Sequence, residues 1–260
     1  MATVTHLFLK KSKGSSALPV QSVSGIRGYG LESDVHASAI SPRQVLITRK
    51  EDLDELGIDC GALMENIIVS GLAVGSFQPG ALLKIGPHLQ IRLTFHCEPC
   101  KKIAAAVPSL EAVRGRRGIL GVVLEDGNAT IGDSVVCVPG RFDPLSDIPF
   151  ERFLDLIRQV PPGQVVTFKM VTQGMGVAEG YLRAIPRYME KAVLANIPVP
   201  VHRIVDEAGN TLYKHLPRQA EMLQQEGVEL EKREDLFATP GLFSVSLSRY
   251  RWPGASLYMG

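Results

Sequence analysis

Two short stretches of this sequence hold side chains whose type and spacing could do chemistry. The first is His96-Cys97-Glu98-Pro99-Cys100-Lys101-Lys102, at the end of an apolar run. A thiolate, not a thiol, ligates metal or attacks an electrophile, and neighbouring Lys101 and Lys102 favour the charged form. A lone Cys-x-x-Cys is compatible with half a zinc site, a redox dithiol or two structural thiols. A structural zinc wants about four ligands, and the sequence has no second Cys-x-x-Cys. A redox dithiol normally opens a helix in a βαβ unit, whereas this pair follows a strand-like run. The second stretch is Pro198-Val199-Pro200-Val201-His202-Arg203-Ile204-Val205, where a histidine and an arginine follow a valine.

The elements that must position these residues fall into two differently patterned regions. Up to about Gly140, short β-branched runs alternate with glycine and proline: Gln44–Thr48, Glu65–Val69, Ala81–Ile85, Leu89–Phe95 and Ser134–Val138. This predicts a barrel or sandwich, interrupted by a helix over Arg49–Leu56 and a second over Pro108–Arg114. Residues 141–149 carry two prolines and read as a linker. Beyond them Phe150, Phe153, Leu154, Ile157 and Val160 recur at helical spacing until Pro161-Pro162-Gly163 stops the run. A short helix capped by Thr167 follows, and a third is expected over Val177–Ala195, with Pro186 as an internal kink. The expected organisation is a β-barrel over 1–140, a linker over 141–149, a mainly α, winged helix-turn-helix-like domain over 150–232, and a tail over 233–260 with no clear period.

With 28 Lys and Arg against 27 Asp and Glu, the 260-residue chain has a net charge of +1, which excludes a polybasic protein that binds by charge over its whole surface. The charge is uneven, however. Residues 158–218 hold eight basic side chains against four acidic ones, and residues 219–235 hold two against six. The basic patch therefore belongs to the helical hairpin and its following loop, where a phosphate-contacting surface would need it. Apolar runs such as Gly118–Leu124 are far shorter than the ~20 residues of a membrane-spanning helix. The start of the chain has no secretory pattern, and four cysteines make no disulfide framework, so a cytoplasmic protein with no membrane contact is expected.

The N-terminal region resembles a MOSC domain, the module named after the C-terminal part of molybdenum cofactor sulfurases. The landmarks, in order, are Gly30-Leu31-Glu32-Ser33-Asp34-Val35-His36-Ala37, Pro42-Arg43-Gln44-Val45-Leu46-Ile47, Glu65-Asn66-Ile67, Gly80-Ala81-Leu82-Leu83-Lys84-Ile85-Gly86, Cys97-Glu98-Pro99-Cys100 and Ile131-Gly132-Asp133-Ser134-Val135. The resemblance implies a β-barrel that binds molybdenum cofactor through a cysteine. Cys100 is the position that matches the metal ligand and Cys97 the second choice, with Arg43 and His36 as pocket residues. A soft thiolate suits molybdenum and sulfur transfer, and a planar guanidinium suits the pterin phosphate. Ser33 and Val35 stand where the family more often has a glycine and a basic residue.

The C-terminal region resembles the DNA-binding domain of alkylguanine-DNA alkyltransferases. The resemblance is carried by Phe150-Glu151-Arg152-Phe153, Ile157 to Phe168, Leu182-Arg183-Ala184-Ile185, the Val201-His202-Arg203 stretch, and Arg218 through Leu223 to Val228. Those enzymes carry Pro-Cys-His-Arg; this chain carries Pro200-Val201-His202-Arg203. Alkyl acceptance needs a sulfur lone pair. Val201 has none, and residues 141–260 contain no cysteine. His202 and Glu226 match the enzymes' base and orienting acid. The alkyltransferase-like proteins, which lack the acceptor cysteine and bind alkylated guanine without repairing it, are the nearer relatives. That resemblance implies that Arg183 enters the duplex, that Arg203, Lys169 and Arg187 meet phosphates, that Val201 lines the base pocket, and that Phe168 stands where the family has a tyrosine whose hydroxyl contacts the backbone phosphate. The implied partners are duplex DNA with alkylated guanine and a repair or sulfur-transfer protein. The alternative is a molybdenum- or sulfur-handling oxidoreductase or sulfur carrier whose C-terminal domain is only a protein-binding scaffold.

Overall fold

The structure is a computed structural model that describes residues 1–232, 242–254 and 257–259. It divides into two compact units, Met1–Asp147 with Ala255–Gly260, and Ile148–Gly254.

In the first unit seven strands close into a barrel. Around the ring they run Ser134–Val138, Leu82–Ile85, Leu89–His96, Ile119–Glu125, Val45–Arg49, Ile67–Ser70 and Ala2–Leu9, and Ala2 pairs back onto Val135. Closure leaves no free edge in the ring. The alternation expected of half-buried strands fills the interior: Val45 and Ile47, Ile67 and Val69, Leu83 and Ile85, and Leu89, Ile91 and Leu93 all join one buried cluster. Helix α1 (Lys50–Leu56) follows directly on the Val45–Arg49 strand and stops at Gly57, whose φ of 64° is the left-handed conformation glycine accepts. Its Leu53 packs with Phe8, Leu63, Ile103 and Val113 in a satellite core.

The second expected helix, Pro108–Arg114, is absent. Residues 110–116 form successive turns, with Arg114 N–H donating to Glu111 and Arg116 N–H to Val113. Only Val113 is buried in this stretch, too little apolar surface to stabilise a helix of this length.

In the second unit α2 (Pro149–Gln159) buries Phe153, Leu154, Leu156 and Ile157 on one face. Thr167 caps α3 (Phe168–Gly174), its hydroxyl accepting from Met170 N–H at 3.4 Å. The single helix expected over Val177–Ala195 is instead two elements, a 3-10 turn at Glu179–Ala184 and α4 (Ile185–Leu194). Pro186 sits in the first turn of α4, where its missing N–H costs nothing, so it starts a helix and does not kink one. Val166–Thr167 and Ile204–Val205 form a short parallel pair, and α5 (Gln219–Gln225) follows.

The segments read as linker and tail are more structured than composition suggested. Phe142 N–H donates to Gly80 and Leu145 N–H to Thr94, which lays residues 142–145 on the barrel. Phe243–Val245 pairs antiparallel with Leu230–Lys232, and α6 (Leu247–Tyr250) packs beside Val165 and Leu223. Residues 233–241 of the expected tail lie outside the described residues. Among the described residues no helix is long and apolar enough to cross a membrane.

Candidate functional site

A register shift in the Leu89–His96 strand decides where the cysteines go. Leu89, Ile91 and Leu93 point into the barrel, but pairing with the neighbouring strand slips between Leu93 and His96. An extra residue of this kind re-aims the side chains after it. Phe95 and Cys97 thereby join Leu46 and Leu120 in a separate cluster. Cys97 is 2% exposed, and burial pushes its thiol up against the lowering charges of Arg117 and Arg43. Burial therefore disfavours its thiolate.

Cys100 is different. It lies half-buried at the start of a 3-10 turn, Lys101–Ile103. Burial alone would raise its thiol, but Arg117 reverses the sign. Its Nη1 donates to Cys100 Sγ at 3.3 Å, and together with the Lys102 backbone N–H and charge it holds the thiol below its ordinary value. The main activator is thus Arg117, with Lys102 secondary. Arg117 is 5% exposed; it also donates to the carbonyls of Glu98 and Leu63, while its Nε has no partner among the described residues. Gly118, at φ 112°, brings this segment so close to Ile47 that any side chain would collide with the Ile47 carbonyl. Glu65, fully buried, accepts from Gly61 N–H at 2.7 Å and leaves Oε2 unpaired among the described residues; burial raises its carboxyl, against backbone hydrogen bonds and the Arg117 charge that lower it.

The two expected pocket residues, Arg43 and His36, differ in their surroundings. Arg43 is half-buried and close enough for its charge to act on Cys97. His36 is held by Asp34, whose Oδ1 accepts both His36 N–H and Nδ1 at 2.9 Å. Asp34 Oδ2 takes Lys10 N–H at 3.0 Å and Asn66 Nδ2 at 2.9 Å. Burial opposes ionisation of Asp34, but the hydrogen bonds from His36 and Lys10 keep its carboxyl below the usual value. The His36 side chain stays 49% exposed with its ring orientation fixed. His96 pairs through Nδ1 with Asp147 at 3.0 Å. Among the described residues no group of three or more His, Cys, Asp or Glu could hold a metal ion by itself.

Ser33 has φ 63°, the left-handed conformation that a glycine takes freely. Its side chain is exposed, so Ser33→Gly should remove strain without losing packing. The expected gain is about 1 kcal/mol in urea unfolding; an unchanged midpoint would show that the turn carries no strain.

The second site is built around the turn Val201–Arg203. Val201 is 5% exposed. His202 Nε2 lies 2.8 Å from Glu226 Oε1. Arg203, expected to meet phosphates, has its guanidinium engaged within the protein. Its Nε contacts both Glu226 oxygens at 3.0 and 3.1 Å, Nη2 reaches Oε1 at 2.6 Å, and Nη1 donates to the Val160 carbonyl. With the side chain 12% exposed, Arg203 is an internal strut. Gln219, 1% exposed, donates through Nε2 to the carbonyls of His202 and Ile204. The other expected contact residues lie outside this knot: Lys169, Arg183 and Arg187 are exposed and Phe168 is half-buried. All four cysteines, Cys60, Cys97, Cys100 and Cys137, belong to the barrel unit.

Burial alone would raise Glu226, but hydrogen bonds from Arg203, His202 and Gly163 pull its carboxyl down to about 2 from 4.5. A depressed carboxylate stabilises the fold above its unfolded value, and that contribution fades as pH falls from about 4.5 towards 2. The expected loss is up to about 3 kcal/mol, less whatever solvent screening removes. Glu226→Gln should flatten this part of the pH-stability curve, followed by urea unfolding, and a mutant curve parallel to wild type would refute the assignment.

Comparison with known proteins gives each unit a class. Residues 32–136 match the family model of the MOSC domain. Residues 149–228 match that of 6-O-methylguanine DNA methyltransferase, DNA binding domain. The chain therefore carries a MOSC domain followed by an alkyltransferase-type DNA-binding domain, the latter without an acceptor cysteine. Among solved structures it is similar to the YuaD protein from Bacillus subtilis, at 19% identity over 52% of this chain and 94% of that one, TM-score 0.46. It is similar to YiiM from Geobacillus stearothermophilus at 16% identity over 87% and 99%, TM-score 0.43. It is also similar to S. pombe Atl1, solved in complex with damaged DNA containing O6-carboxymethylguanine, at 24% identity over 41% and 96%, TM-score 0.35. No curated protein matches the chain.

Proposed function

We propose that this protein joins a molybdenum-cofactor-binding module to a non-catalytic reader of alkylated DNA. The reading of the second module rests on one observation above all: a buried valine stands directly before a histidine that is already paired with its carboxylate. His202 and Glu226 have the geometry of a base and its orienting acid, and Val201 offers them no proton to take. What remains is a binding scaffold with exposed cations at Lys169, Arg183 and Arg187. Binding a flipped base requires phosphate contacts and an apolar pocket, and no nucleophile. An electrophoretic shift comparing duplexes with and without alkylguanine tests it. Preference for the damaged duplex is expected; equal and feeble binding to both would reject the reading.

For the barrel, the residues present fit the cofactor that the MOSC family implies. Cys100 supplies a thiol held towards its ionised form, as a molybdenum ligand must be. The unpaired Nε of Arg117 and the guanidinium of Arg43 supply positive charge beside it for an anionic group such as the pterin phosphate. When bound, the cofactor would supply redox or sulfur-transfer chemistry. The chain's own part is to favour ionisation of Cys100 through Arg117 and to fix the His36 ring through Asp34. Metal analysis of the purified protein tests this assignment, with stoichiometric molybdenum expected and its absence counting against it.

A further inference from the structure

Two adjacent arginines reach in different directions from one short segment. Arg117 Nη1 meets Cys100 Sγ, whereas Arg116 turns to α1, its Nε 3.2 Å from Asp52 Oδ1 and its Nη2 2.6 Å from Glu55 Oε2. Asp52 and Glu55 stand three residues apart on one face of that helix. Asp52 is itself held: Arg49 Nη1 lies 3.5 Å from its other oxygen, and Arg49, 9% exposed, donates through Nε to the Leu72 carbonyl at 3.0 Å. The Asp52 pair is partly sheltered, with side chains 34% and 17% exposed, so water screens it less than a surface pair; Glu55, 69% exposed, adds less. The main chain of the segment is tied as well. Arg116 N–H donates to Val113, the Thr48 hydroxyl to the Arg117 carbonyl at 3.1 Å, and Cys97 N–H to the Gly118 carbonyl at 2.9 Å.

What Arg117 does for Cys100 depends on where its guanidinium sits, because a charge-assisted hydrogen bond weakens steeply once distance and alignment are lost. A segment free to shift along α1 would carry Arg117 off the sulfur. We propose that Arg116 is a positioning residue of the Cys100 site: its ion pairs with Asp52 and Glu55 hold the segment that sets Arg117 against the sulfur. This role rests on the reading of Cys100 as the molybdenum ligand, and it makes the acidic face of α1 part of that ligand's support.

The rate at which iodoacetamide alkylates Cys100 at neutral pH, read by mass spectrometry of the Cys100 peptide, tests it. The full chain is made in cells that cannot synthesise molybdenum cofactor, so that no cofactor shields the sulfur. Arg116→Ala should slow the reaction by about threefold, the effect of a tenfold smaller thiolate fraction partly offset by the greater nucleophilicity of the more basic sulfur. Arg116→Lys keeps a cation for the two acids and should recover most of the rate. Cys137, on the Ser134–Val138 strand with its thiol donating to the Ser76 carbonyl, should react as in wild type in both variants. Should Arg116→Ala loosen the barrel and quicken Cys137, the near-isosteric pair Asp52→Asn with Glu55→Gln removes the anchor from the other side and carries the same expectation. A Cys100 rate that falls in Arg117→Ala but stays at the wild-type value in Arg116→Ala, or in the paired variant, would overturn the inference. No change in Arg117→Ala would overturn it together with the role of Arg117. Molybdenum content of wild type from cofactor-producing cells is read separately: its absence would overturn the ligand reading, whatever the alkylation rates.

Discussion

Arg183→Ala is expected to lower affinity for a duplex carrying alkylguanine by roughly 10- to 100-fold, about 1.4 to 2.7 kcal/mol. Arg183 lies in the last turn of the 3-10 segment Glu179–Ala184, just ahead of α4, with its side chain in solvent. A base moved out of the helix leaves a stacking gap, and a planar cation from a rigid turn can fill it while neutralising the backbone. Lys169 and Arg187 belong to a different class of contact. Replacing either with alanine should weaken damaged and undamaged duplexes alike and shallow the salt dependence by about one ion each. A uniform small loss for Arg183→Ala would place it with those two and remove it from the lesion site.

Cys100→Ser is expected to abolish molybdenum retention. A serine hydroxyl does not ionise near neutral pH, and its hard oxygen is a poor substitute for a thiolate toward a soft metal centre. Arg117 would lose its thiolate partner in this variant but would keep its contacts to Glu98 and Leu63. The barrel should therefore stay folded, and the loss would be of metal and not of structure. Cys97→Ser provides the contrast: buried at 2% exposure among Phe95, Leu46 and Leu120, it should cost stability and leave molybdenum content unchanged in the protein that folds. Equal molybdenum in wild type and Cys100→Ser, measured by mass spectrometry of the purified proteins, would show that the metal is held elsewhere.

The candidate residues of both sites stood out in short stretches of chain, but their supports did not. Cys100 stood out because two cysteines and two lysines fall within a few residues, and Val201 because of the histidine and arginine beside it. Arg117, which dominates the Cys100 environment, lies 17 residues away across a strand pairing and carries no local signal. Arg203 was expected on the surface for the same reason: the partners that commit it to the interior, Glu226 and the Val160 carbonyl, are 23 and 43 residues distant. Local patterns did carry the helix cap at Thr167 and the alternation of the barrel strands, since both depend on neighbours in sequence. Pro186 shows the boundary between the two cases. Proline is favourable in the first turn of a helix and disruptive inside one, and the spacing alone did not say where α4 begins. The strand at Phe243–Val245 is only three residues long and leaves no period to detect.

A C-terminal module that holds a damaged base without an acceptor sulfur should leave the alkyl group on the DNA. The direct measurement is mass spectrometry of the intact protein after incubation with a duplex whose O6-methylguanine is isotopically labelled. All label should stay on the DNA and the polypeptide should keep its original mass, even under conditions where the complex is seen by gel shift. A polypeptide heavier by one labelled methyl group would contradict it.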